Sequence, residues 1–596
     1  MKRGEMEMKN VVLLMLCLCG AILLRGQSAS TRPNIVLIVS DDQGWGDLSI
    51  NGNTNLSTPN IDKLAESGAR FNFFYVSPVC SPTRAELLTG RYHPRGGVYS
   101  TSAGGERLDL DETTIAQVFK SAGYATAAFG KWHNGMQYPY HPNARGFEEF
   151  YGFCSGHWGD YFSPQLEHNG QLVKGNGFLA DDLTDKAIAY MESHKDKPFF
   201  LYVPLNIPHS PMQVPDRWWN NFKGKNLKMP YTGEEKENVE FTRAALAMCE
   251  DIDWNVGRMM DKLKALRLEE NTIVLYMSDN GPNDWRWNGG MKGKKGSTDE
   301  GGVRSPLFIR WKGKIEAGKR IPSIAAAIDI FPTLTALAGI DYASRKPLDG
   351  ISLKPYLVDK TPPPFQERLI FSHWNGNVSV RSQQFRLDHV GRLYDVQNDP
   401  GQVRDLSTER FPIAESLRQA ADRWRDEVLS ELPKEDTRPF TLGHPGAEYT
   451  QLPARDGVPH GNVKRSNRFP NSTYFTNWVS ADDSITWDVD VLAPGTFEVV
   501  LYYTCPRQDV GSTIELSFGN SKIGGKITEA YDPPLTGMEH DRVERIESYI
   551  KDFKPLNLGK MTLAQGRGLL TLKAVDVPGS QVMDVRLLMF RRIGDL

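Results

Sequence analysis

The sequence predicts an α/β fold: a large, mostly parallel sheet flanked by helices, with a small antiparallel-sheet subdomain and a C-terminal β-sandwich. Three observations carry that prediction. Nearly unbroken apolar, β-branched runs at 34–39, 199–203 and 273–277 have the pattern of strands buried on both faces. Helical patterns at 59–68, 82–90, 112–121, 180–194 and 237–266 lie between them, and strand–helix alternation builds parallel sheets. Beyond residue 471 the period falls to two, in short runs separated by turn residues, as in a sandwich.

In chain order, the first segment is an export signal over 1–29. Lys2, Arg3 and Lys9 precede an apolar run at 11–24, Arg25 closes it, and small residues follow. The run is shorter than the about 20 apolar residues of a stable membrane span, so the protein is expected to be exported, periplasmic or extracellular. Residues 31–360 form the α/β domain. Residues 361–440 form the smaller subdomain, read from a meander at 369–396 and an amphipathic helix at 412–431. Residues 441–470, rich in Pro, Gly and charge, are expected to be a linker, and 471–596 the sandwich, a structural domain or a carbohydrate-binding-like one.

Composition agrees with several cores and excludes some partners. A chain of 596 residues with 40% hydrophobic and 24% charged residues is ordinary multidomain globular protein. Its 70 Lys+Arg against 73 Asp+Glu leave no broad basic field for nucleic acid. Six cysteines in this length cannot make a disulfide scaffold. Cys17 and Cys19 fall in the export signal, leaving Cys80, Cys154, Cys249 and Cys505, scattered and without a C-x-x-C pair.

Open α/β sheets bind ligands beyond the carboxyl ends of their strands. After 34–39 come Asp41 and Asp42; after 273–277, Asp279 and Asn280; after 199–203, Asn206 to His209; after 124–129, Lys131 and His133. One Asp-Asp pair alone would be read as a turn. Two such pairs at strand ends, with lysine and histidine at others, instead suit Ca²⁺ or Mg²⁺. Cys80 precedes Pro82 at a helix start, where a lone cysteine is either a small buried residue or a low-pKa nucleophile.

Cys80-Ser81-Pro82-Thr83-Arg84 followed by Leu87-Leu88-Thr89-Gly90 resembles the signature of the formylglycine-dependent (type I) sulfatases of the alkaline-phosphatase-like superfamily. Gly123-Tyr124-x-Thr126-x-x-x-Gly130-Lys131-x-His133 is similar to that family's second signature. Asp41-Asp42, Ser278-Asp279-Asn280-Gly281 and Lys295-Gly296-x-Thr298-x-Glu300-Gly301-Gly302 resemble further family motifs, in the family's order. The resemblance implies a sulfatase in which a formylglycine-generating maturation enzyme oxidises Cys80, and the hydrated aldehyde attacks sulfur. It implies that Asp41, Asp42, Asp279, Asn280 and the modified Cys80 hold one divalent cation, Ca²⁺ ahead of Mg²⁺. It also implies that Arg84 and His133 steady the modified residue, that Lys131, Lys295 and His209 contact the sulfate or leaving oxygen, and that His209 is the acid. Lys292 and Lys294 share the run Lys292-Gly-Lys-Lys295, and only the motif selects Lys295 among them.

The substrate is less defined than the chemistry. The loop 155–161, with His157, Trp158 and Tyr161, and Trp285 and Trp287 are either sugar-facing groups or core. A sulfate ester on a carbohydrate is the leading expectation. A formylglycine-dependent phosphodiesterase or phosphonate monoester hydrolase, and an inactive secreted glycan-binding relative, are its competitors; the intact Cys80 motif argues against the last.

Overall fold

The computed structural model describes residues 32–342 and 344–593; the export signal expected over 1–29 lies outside them. The main sheet runs through β1 (Asn34–Ser40), β2 (Ala69–Tyr75), β3 (Ala125–Lys131), β4 (Glu149–Phe153), β5 (Gln165–His168), β6 (Gln171–Lys174), β7 (Phe199–Pro204), β8 (Thr272–Ser278), β9 (Arg304–Ser305), β10 (Leu307–Trp311) and β11 (Lys319–Ala326). Its order is β11-β2-β10-β8-β1-β7-β3-β4-β5-β6, with β9 beside β2. The central block β8-β1-β7-β3-β4 is entirely parallel, while β10, β5 and β6 pair antiparallel on its flanks.

Every residue of β1, β3, β7 and β8 is buried, because helices cover both faces. Side chains of alternate residues then enter opposite cores. Val36 and Ile38 join the layer containing helices Leu179–Ser193 and Val239–Ala265, and Ile35, Leu37 and Val39 join the layer containing helices Ile115–Ser121 and Ile330–Leu337. This double burial is why the strands read as unbroken apolar runs.

A four-stranded antiparallel sheet follows: β12 (Ile370–Trp374), β13 (Asn377–Arg381), β14 (Phe385–Leu387) and β15 (Leu393–Asp395), in that order. Helix Phe411–Val428 packs on it through Ala414, Leu417, Ala421 and Trp424. The C-terminal region is two six-stranded sheets packed around one core that includes Trp478, Trp487, Leu501 and Phe590.

The linker expected at 441–470 is corrected. Strands Phe440–Leu442 and Val458–His460 join one sheet of the sandwich, and Tyr449–Pro453 and Lys464–Arg465 join the other. Leu442, Leu452 and Val463 lie in the sandwich core. Short strands interrupted by Pro and Gly have linker-like composition, yet their backbones complete sheet edges. Among the described residues, no helix is long and apolar enough to cross a membrane.

Candidate active site

The register of the parallel block brings four strand ends to one edge of the sheet. Ser40 of β1 lies opposite Ser278 of β8, Val39 lies opposite Pro204 of β7, and β3 runs beside β7. The residues that follow are therefore neighbours in space although they come from across 240 positions of sequence. Asp42 takes a left-handed backbone, φ 67°, and its N–H donates to Asp279 Oδ1 at 3.1 Å. Arg286 fixes the same turn by donating to Asp42 O at 3.0 Å.

Cys80 opens the helix Cys80–Thr89, all of whose residues are buried. Thr83 secures its first turn: Ser77 N–H donates to Thr83 Oγ1 at 2.9 Å, and that hydroxyl donates back to Ser77 O at 3.2 Å. Cys80 Sγ lies 3.9 Å from Asp42 Oδ1. Burial, opposed by Lys131 and Lys295, pushes its thiol up to about 12. The helix start thus does not yield a low-pKa thiolate; an unmodified Cys80 is protonated at neutral pH.

Cations converge on the same place. Lys131 Nζ pairs with Asp41 Oδ2 at 2.7 Å, and Lys295 Nζ approaches Asp42 Oδ1 to 2.6 Å. Lys294 instead pairs with Asp284, at 2.8 Å, and Lys292 with Asp299, at 3.8 Å. Arg84 donates to Asp279 Oδ2 from Nε and Nη2, at 3.1 and 2.7 Å, and to Lys131 O from Nη1. Burial would raise Asp42, but Lys295, His209 and Lys131 with the Asn280 amide hold it well below the usual carboxylate range. Burial and then Asp41 push Asp279 up to about 6 against Arg84.

Two histidines face the cluster. His133, with φ 65°, is hydrogen-bonded through Nε2 to Thr101 O at 2.8 Å, and its buried Nδ1 has no partner. Gly156 permits that ring position, since a Cβ there would stand 2.1 Å from His133 Nε2. His209 Nδ1 donates to Ser210 O at 2.6 Å, leaving Nε2 3.6 Å from Asp42 Oδ2. Burial, then Lys295, lower His209 to about 4.

The donor set suits a hard cation. Asp41, Asp42, Cys80 and His209 place one ligand atom each within 4.8 Å of one another, and Asp41 Oδ1 and Asn280 Oδ1 are buried without hydrogen-bond partners. Asn280 Nδ2 donates to Asp42 Oδ1 at 2.8 Å, which turns its oxygen away from that contact. Asp279 stands apart in one respect: both its oxygens are engaged, by Arg84 and by Asp42 N–H.

Asp42, Cys80, His133, His209 and Lys295 line a cavity of about 650 Å³, with Asp41, Arg84, Lys131, Asp279 and Asn280 buried behind them. His157, from the 155–161 loop, also lines it, whereas Trp158 stacks on Phe153 and Tyr161 is buried with its hydroxyl donating to Ser210 O. Trp285 and Trp287 line a neighbouring cavity of about 910 Å³ that shares Lys294 with the first. One wall was not foreseen. It comprises Phe469, Asn471 and residues 543–547, contributed by the C-terminal domain. Glu547 there accepts from the Ser210 hydroxyl; burial opposes its ionisation, but His157 and Ser210 hold it below the usual range. No local signal marks it, because the contact joins parts of the chain 337 positions apart.

Comparison with known proteins places this geometry. Residues 33–340, just over half the chain, match the family model described as Sulfatase, and 294–426 match N-sulphoglucosamine sulphohydrolase, C-terminal. The chain is 32% identical over 400 residues to N-acetylgalactosamine-6-sulfatase of Mus musculus, covering 61% of this chain and 73% of that one. It is 32% identical over 429 residues to Arylsulfatase G of Rattus norvegicus, covering 62% and 77%. Among solved structures it is similar to Ps i-CgsB in complex with k-i-k-neocarrahexaose, with a TM-score of 0.62 and 31% identity over 68% of this chain and 96% of that one. The strand-end chemistry and the length of these matches lead to one conclusion: the chain belongs to the alkaline-phosphatase-like, formylglycine-dependent sulfatase family and is a sulfuric ester hydrolase.

Proposed function

We propose that the protein is an exported sulfatase that hydrolyses a sulfate ester on a carbohydrate. Its nucleophile is formylglycine derived from Cys80, and Asp41, Asp42, Asp279, Asn280 and the modified Cys80 hold one divalent cation, Ca²⁺ ahead of Mg²⁺. The observation that carries this reading is the clustering of Lys131, Lys295, Arg84, His133 and His209 around Cys80 and its neighbouring carboxylates, with Cys80, His133, His209 and Lys295 lining the cavity. Export rests on the residues at 1–29. A carbohydrate substrate rests on the sugar sulfatases among the relatives.

When in place, the hydrated formylglycine and the cation supply an activated oxygen nucleophile for attack on sulfur. The chain's own residues bind and orient the ester. In this reading Lys131 and Lys295 neutralise its non-bridging oxygens, and at an effective dielectric near 20 one such charge at about 4 Å is worth about 4 kcal/mol before desolvation. Arg84 fixes the Asp279 carboxylate, and Ser210 O fixes the His209 tautomer so that Nε2 faces the reacting group. Although His209 is depressed to about 4, an arriving anion acts in the opposite sense, so the ring takes up its proton with the substrate and delivers it to the leaving oxygen.

The test is turnover by protein co-produced with a formylglycine-generating enzyme. Aryl sulfate is expected to be hydrolysed well above aryl phosphate diester, with formylglycine in the residue-80 peptide by mass spectrometry and activity lost in Cys80→Ala. Preference for the diester, or full activity with only unmodified cysteine, overturns the proposal.

A further inference from the structure

Charge in the cavity is paired on one side and less so on the other. Near Cys80, Lys131 and Lys295 pair with Asp41 and Asp42, while the wall from the C-terminal domain presents Glu544 and Glu547. The arginine between them, Arg545, is committed elsewhere: its Nε donates to Asp541 Oδ2 at 2.7 Å and its Nη1 to Gly159 O. Lys294, at the rim, is likewise engaged by Asp284. The acidic loop is held in place. Arg542 donates to Val214 O at 2.6 Å, Gln213 Nε2 to Gly537 O at 2.8 Å, and Asn467 Nδ2 to Ile546 O at 2.8 Å.

His157 supplies a second, independent observation. It is 7% exposed, lines the cavity and carries a buried Nε2 with no hydrogen-bond partner. An unmet buried polar atom is costly, and a ligand group that bonded to it would recover that cost. Its ring stands 5.7 Å from that of His209, so it borders the leaving-oxygen side of the site. A carboxylate beside an imidazole suits neutral hydroxyls, or an ammonium, and repels a second anion.

We propose that Glu547 and His157 form a recognition site for the unsulfated face of the substrate. They bind a free hydroxyl or amino group beside the scissile ester and exclude sugars carrying a second sulfate or a carboxylate there. This inference rests on the sulfatase reading and narrows it to sulfate esters with a neutral or basic neighbouring substituent. It also makes the C-terminal domain part of the specificity apparatus.

The experiment uses full-length enzyme co-produced with the maturation enzyme, as wild type, Glu547→Gln, Glu547→Asp and His157→Phe. Substrates are an aryl sulfate, a panel of hexose monosulfates, and hexose disulfates sulfated on adjacent carbons. Wild type is expected to prefer the monosulfate by about 100-fold in kcat/KM. Glu547→Gln can still accept from Ser210 but has lost its charge, and is expected to narrow that preference about tenfold, while Glu547→Asp retains it. His157→Phe is expected to lower kcat/KM for the hexose monosulfate about tenfold more than for the aryl sulfate. Equal losses on all substrates, or a mono-to-disulfate ratio that Glu547→Gln leaves unmoved, would overturn the inference. Wild type that turns over no sulfate ester would overturn the underlying sulfatase reading, and the inference with it.

Discussion

His209 ties a titration to a chemical role. If it protonates the leaving oxygen, His209→Gln should lower kcat for an alkyl sulfate by about 10²–10⁴, and for an aryl sulfate with an acidic phenol much less. Equal losses on both would remove the acid role. A second histidine pair, His93 and His373, bears on stability rather than on this chemistry. His93 Nδ1 donates to Val98 O, His373 Nδ1 donates to His93 Nε2 at 3.3 Å, and Gly376 N–H donates to His373 Nε2 at 3.2 Å. Every ring nitrogen is used, and only with both rings neutral. Burial lowers His93 to about 4 and His373 to about 3. The unfolded state, with histidine near 6.5, then binds protons that the native state refuses. Their contribution is fully present above pH 6.5 and is lost as pH falls through about 4. Denaturant unfolding of His373→Phe should therefore show a shallower decline between pH 6.5 and 4 than wild type. An equal or steeper decline would exclude the pair as its source.

At the scale of elements, the position of Lys131 depends on a close strand approach. Gly130, φ 141°, precedes Lys131 in β3, and a Cβ there would meet Pro204 O of β7 at 1.9 Å. Gly130→Ala is expected to cost at least about 3 kcal/mol and to displace Lys131, lowering both the denaturation midpoint and kcat. A variant with wild-type midpoint and kcat would show that the strands yield freely. Such elements were legible where one local cause dominated. Double burial wrote β1, β7 and β8 as apolar runs, and the clustering of oxygen donors at strand ends wrote Asp41-Asp42 and Asp279-Asn280 as adjacent polar pairs. Strands Phe440–Leu442 and Tyr449–Pro453 were illegible because pairing with Ser484–Val491 and Asp584–Ile593, rather than their own composition, holds them. Glu547 was hidden for the same reason, its role set by Ser210 across the domain boundary.

Across the whole molecule, the two domains share buried charge. Arg455, 3% exposed, reaches from the sandwich to Glu106 at 3.0 Å and Ser155 Oγ at 3.1 Å, while Gln137 donates to Asp456 at 3.0 Å. Arg455→Met would strand Glu106 and Asp456 without their cation, at a cost of about 3–5 kcal/mol. Calorimetry should then resolve two unfolding transitions where wild type shows one; a single unshifted transition would mean the interface carries little energy. The same connection has a meaning in time. Asp42 follows the first strand and Glu547 precedes strand Lys554–Leu563, so a growing chain holds the helix that Cys80 opens long before the wall bearing Glu547 exists. The selectivity proposed for that wall thus comes late in synthesis, and a chain halted short of residue 547 would carry Cys80 and its neighbours without Glu547.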